Sequence, residues 1–157
     1  MTSHDLSQAE QIVWRSFLTA SQDLITASEA ELTLECNLCL SEYEVLQHLT
    51  ESSTHSLRMT ELAVLARLSP SGLTRRFDLM IKRGFVTRER CASDRRGVIA
   101  LITPEGMRQV ELAKPAFNRV QQQLLFSQLS PSAAAQLQKI SESISRACVN
   151  EELLATG

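Results

Sequence analysis

Apolar positions recur at helical spacing along most of this chain, and polar capping residues mark where each run begins. Ser7-Gln8-Ala9-Glu10 and Ser41-Glu42-Tyr43-Glu44 fit the capping box, in which a hydroxyl and a carboxylate satisfy free backbone donors at a helix start. Ser69-Pro70, Thr103-Pro104 and Ser130-Pro131 each set a capping hydroxyl before a proline suited to the first helical turn. Thr60 supplies a further start. Six helices are predicted. The first carries two apolar stripes, Val13, Phe17, Leu24 and Trp14, Leu18, Ile25. The second carries Tyr43, Leu46 and Leu49, and the third Leu62, Leu65 and Ala66. The fourth runs from Pro70 to about Arg83 and stops at Gly84, suited to a left-handed cap. The last two place Val110, Val120 and Leu124, then Leu137, Ile140 and Ile144, on apolar faces.

Only one region changes period. Phe85 to Arg90 and Val98 to Thr103 are rich in apolar and β-branched residues and are joined by the polar CASDRRG. A two-stranded hairpin cannot stand alone, so it packs beside helices three and four. The order is then helix, short turn, helix, glycine, strand, basic tip, strand. The two or three residues between the third helix and Ser69 give the spacing of a helix-turn-helix.

Charge sharpens this picture. The net charge of −2 hides a window from Arg58 to Arg108 that holds eleven of the sixteen Lys and Arg but five of the eighteen acids. That window carries +6 and the remainder −8. A concentrated positive surface suits a polyanion partner, because phosphate neutralisation releases counterions. One Trp and one Tyr offer no run of stacking platforms for single strands. The polar opening MTSHDLSQAEQ and the lack of a long apolar run predict neither a secretion signal nor a membrane span. Four cysteines are too few to staple a chain of this length, so a cytoplasmic protein with reduced thiols is expected. No catalytic triad, phosphate loop or paired catalytic carboxylates emerge, and the chain reads as no enzyme.

The segment RMTELAVLARLSPSGLTRRFDLMIKRGFVTRERCASDRRGVIALITPEG resembles the winged helix-turn-helix core of the MarR family of bacterial transcriptional regulators. Asp94 and Arg96 in SDRRG fit the family's Asp-x-Arg wing motif, and LITPEG its entry into the next helix. The resemblance implies a mainly α fold with a small two-stranded β-wing. Residues 41–103 form the winged helix-turn-helix core, and residues 7–35 and 104–154 the N- and C-terminal dimerisation helices, within one domain over 1–157. It implies duplex DNA with an inverted-repeat operator as partner, read by a homodimer and more readily a repressor than an activator. The recognition-helix role falls on Ser69, Ser71, Thr74, Arg75 and Arg76, and the wing role on Asp94, Arg95 and Arg96. Where many members carry Gly in the turn, this chain has Arg67, so either the turn is tighter or Arg67 adopts a costly conformation.

The resemblance also implies a pocket for a small aromatic or phenolic effector, with Trp14, Arg15, Leu18 and His48 as lining candidates, though core or solvent-facing roles explain each more simply. No cofactor and no metal are expected, since the single C-x-x-C lacks the second ligand pair of a zinc site. Cys36, Cys39 and Cys91 are candidate redox thiols, with ordinary thiols the simpler reading. Two alternatives stand beside the leading function: a cysteine-based redox regulator of the same fold, and a winged-helix module that binds an acidic protein.

Overall fold

In the computed structural model, which describes residues 5–91 and 97–155, six helices and a small sheet follow the predicted order. Helix α1 spans Gln8–Cys36, α2 Leu40–Glu51, α3 Met59–Leu65, α4 Pro70–Lys82, α5 Pro104–Leu124 and α6 Pro131–Ala155. The strands are β1 (Ser56–Arg58), β2 (Val86–Arg90) and β3 (Val98–Ile102), in antiparallel order β1-β3-β2. Leu57 and Arg88 both pair with Ala100, so β3 is the central strand. The predicted two-stranded hairpin is therefore present as β2 and β3, and β1 adds a third strand on the other side of β3. β1 is too short to show alternation, and only its pairing with β3 reveals it.

Four of the six helix starts behave as their sequences dictate, and the other two lie two residues earlier. Ser7 and Glu10 form the complete capping box of α1. Ser69 Oγ accepts from Gly72 N at 3.1 Å, Thr103 Oγ1 from Gly106 N at 3.0 Å, and Ser130 Oγ from Ala133 N at 3.2 Å. The box expected at Ser41 is displaced two residues. Cys39 is the N-cap of α2, and Glu42 Oε2 accepts from its backbone N–H at 3.1 Å. Glu29 on α1 reaches the same helix start, where its Oε2 accepts from Leu40 N at 2.5 Å. Thr60 is not a cap: the N-cap of α3 is Arg58, two residues earlier.

The chain divides into two units, residues 1–120 and 121–157. The core of the first draws Leu32 from α1, Leu46 and Leu49 from α2, Leu62 from α3, and Leu73, Phe77 and Met80 from α4, all fully buried. Leu65, expected on the apolar face of α3, is exposed instead, and Ala63 takes its place. Gly106 fixes how α5 enters: a Cβ there would lie 2.1 Å from the Phe85 carbonyl oxygen. Ion pairs link distant elements, with Arg119 of α5 on Glu31 and Glu35 of α1 at 2.5 and 2.6 Å. These carboxylates hold the Arg119 guanidinium above its ordinary pKa. The second unit holds the end of α5, a turn of 3-10 helix at Phe126–Gln128, and α6.

Much of the first helix's apolar stripe is uncovered in the single chain. Val13, Trp14, Phe17, Leu18 and Ile25 are all exposed, with Trp14 at 59%. Among the described residues no helix is long and apolar enough to cross a membrane.

Candidate nucleic-acid interface

The turn between α3 and α4 decides how α4 is presented. Ala66 ends α3, and Arg67 then takes φ 51°, a left-handed conformation that favours glycine. The costly alternative anticipated for Arg67 is thus the one adopted. Arg67 N donates to Val64 O at 3.2 Å and Leu68 N to Ala63 O at 2.9 Å, closing the turn before Ser69.

Helix α4 has two faces. Leu73, Phe77 and Met80 are buried, while Ser71, Thr74, Arg75, Leu79 and Lys82 form an exposed stripe at three- and four-residue steps. Three of the five expected recognition residues, Ser71, Thr74 and Arg75, therefore share one solvent-facing surface at the helix start. Thr74 Oγ1 donates to Pro70 O at 2.8 Å. Ser69 is committed to capping and lies 3.4 Å from Ser71 Oγ. Arg76 departs from the group. It is half-buried, and its Nη1 donates to Cys39 Sγ at the start of α2.

The hairpin adjoins this helix. Arg88 on β2 pairs with Asp78 on α4 at 3.0 Å, and Arg90 is exposed at the strand end. Sequence reasoning gave Arg88 no role, since the partner acid lies on another element. At the base of the tip, Cys91 N donates to Gly97 O at 2.9 Å. Asp94, Arg95 and Arg96, the expected wing residues, lie outside the described residues.

The remaining candidates are dispersed. Trp14, Arg15 and Leu18 are exposed on the N-terminal half of α1, and His48 is half-buried on α2. A cavity of about 580 Å³ opens farther along α1, lined by Ile25, Thr26, Glu29, Ala30, Thr33 and Leu34. None of the four expected lining residues belongs to it. Cys36, Cys39 and Cys148 carry free thiols. Burial, helped by the Glu35 carboxylate, pushes the Cys36 thiol above its ordinary pKa and works against a thiolate. Arg58 Nη2 approaches Cys91 Sγ at 3.7 Å. No group of His, Cys, Asp or Glu suited to a metal ion occurs among the described residues.

Comparison with known proteins fits this architecture. The MarR family model matches residues 38–98, from the start of α2 into β3. Sco3205, a MarR family transcriptional regulator from Streptomyces coelicolor solved in complex with DNA, is 32% identical with a TM-score of 0.89. That match covers 92% of this chain and 91% of the relative. AbsC, a MarR family transcriptional regulator from the same organism, is 28% identical with a TM-score of 0.89, covering 94% and 99%. A mutant MarR from E. coli, complexed with operator DNA, shares the fold at 20% identity and a TM-score of 0.76, covering 90% and 99%. No curated protein matches the chain. A helix-turn-helix and hairpin in this order, with a relative at that identity over nearly the whole length, place the chain in the MarR family.

Proposed function

We propose that this chain is a sequence-specific duplex-DNA-binding transcriptional regulator that acts as a homodimeric repressor on an inverted repeat. The observation that carries the reading is the exposed stripe Ser71–Thr74–Arg75 at the capped start of α4. Small hydroxyls and an arginine there suit entry into a major groove, where Arg makes paired bonds to guanine. The DNA complex of Sco3205 supports transfer of this role to a chain of the same fold. Asp94, Arg95 and Arg96 supply the wing in this reading, Arg96 entering the minor groove.

Helices α1, α5 and α6 form the dimer arms, and their uncovered apolar residues meet those of a second copy. Two-fold symmetry then sets two recognition helices about one DNA turn apart. A small aromatic or phenolic effector releases the operator. Binding of duplex DNA over a salt series tests the reading. Arg75→Ala and Arg96→Ala should each weaken specific binding by about 1–3 kcal/mol. Unchanged affinity in both folded variants contradicts the assignment of these faces.

A further inference from the structure

Arg76 lies three residues after Leu73 and four before Met80, beside the buried face of α4 rather than on its exposed stripe. Its Nη1 donates to Cys39 Sγ, and its Nε is buried without a hydrogen-bond partner among the described residues. That side of the guanidinium is withdrawn from water and from any phosphate. Arg83, seven residues on and so on the same helix face, reaches the same junction. Its Nη1 donates to Glu42 Oε2 at 3.0 Å and its Nη2 to Asn37 O at 2.5 Å.

The junction these two arginines grip is itself braced. Asn37 ends α1 in a left-handed conformation with φ 52°, and Cys39 opens α2 two residues later. Glu42 Oε2 holds the Cys39 N–H, and Glu29 of α1 holds the Leu40 N–H. Two attachments two turns apart fix both the rotation and the tilt of α4, where one would leave a pivot. We propose that Arg76 makes no DNA contact and is instead a positioning residue. With Arg83 it locks the recognition helix to the α1–α2 junction through Cys39, setting the angle at which Ser71, Thr74 and Arg75 meet the groove. This rests on the DNA-binding reading above.

The test compares wild type, Arg76→Gln, Cys39→Val, the double variant and Cys39→Ser, titrating duplex DNA carrying the bound site over a salt series. Each of the first two variants should weaken binding about tenfold, and the double variant no further, as for groups acting as one unit. The slope of log affinity against log salt should equal that of wild type, and Cys39→Ser, which keeps an acceptor, should restore binding. If Arg76 contacts phosphate, Arg76→Gln lowers the slope by about 0.9 while Cys39→Val binds like wild type. That result overturns the proposal and leaves the DNA-binding reading intact. A wild type that binds no duplex overturns that reading, and this one with it. Should Arg76→Gln fail to fold, Cys39→Val decides: weakened binding at an unchanged slope supports the lock, and wild-type affinity overturns it.

Discussion

Arg67 holds a left-handed backbone with φ 51°, a conformation that costs a residue with a Cβ about 1–2 kcal/mol. Arg67→Gly should therefore raise stability, but by less than that, since glycine gains freedom in the unfolded chain. An unfolding free energy raised by up to about 1 kcal/mol, seen as a higher denaturant midpoint, is the expected result. Gly106 is the opposite case. Gly106→Ala drives a Cβ against the Phe85 carbonyl, and urea unfolding should show a loss of about 1–3 kcal/mol. The strain at Arg67 was legible as one of two alternatives, the other being a tighter turn, and φ 51° selects between them. The demand at Gly106 was not, since the atom it avoids lies twenty-one positions away in sequence.

At the scale of elements, α4 was the most readable: Ser69-Pro70 starts it and Gly84, with φ 77°, follows its end. Helix α2 was misplaced by two residues because Ser41 looks like the better cap. The actual start is chosen by carboxylates from two elements, Glu29 and Glu42, and the first of these lies beyond any local pattern. The inward turn of Arg76 had a signal in its spacing from Leu73 and Met80, which the run of neighbouring arginines masked. Within α2, burial raises the Glu44 carboxyl above its ordinary 4.5, while His48 and Arg67 oppose the shift and Glu29 adds to it. A raised carboxyl pKa means that the folded state binds the proton more tightly, so the burden on folding is complete above the folded pKa. It fades as pH falls through that value and is gone below 4.5. Glu44→Gln should thus unfold at higher denaturant than wild type at pH 7, with the gap closing near pH 4. A gap that persists in acid contradicts burial as the cause.

At the scale of the molecule, the division into a cationic third and an acidic remainder was plain from residue counts, and it falls on the helix-turn-helix and hairpin as expected. The wing residues that contribute to it lie outside the described segment, so their part rests on the SDRRG motif. The apolar stripe of α1 was equally plain, but a single chain leaves it exposed, with Phe17 at 41% beside Trp14. In the proposed dimer this surface is covered, and sedimentation should give twice the 17.5 kDa of one chain. Replacing Trp14 and Phe17 together by Glu should yield folded monomers with much weaker operator binding. A dimer that survives this change places the interface elsewhere.

The central claim is that the α4 and hairpin face binds duplex DNA through phosphate neutralisation and base contact. Affinity for genomic duplex fragments, measured from low to physiological salt and followed by footprinting of the tightest fragment, tests it most directly. The account predicts a steep linear fall of log affinity with log salt and a protected two-fold site spanning about two helical turns. A flat salt response with no protected site would contradict it.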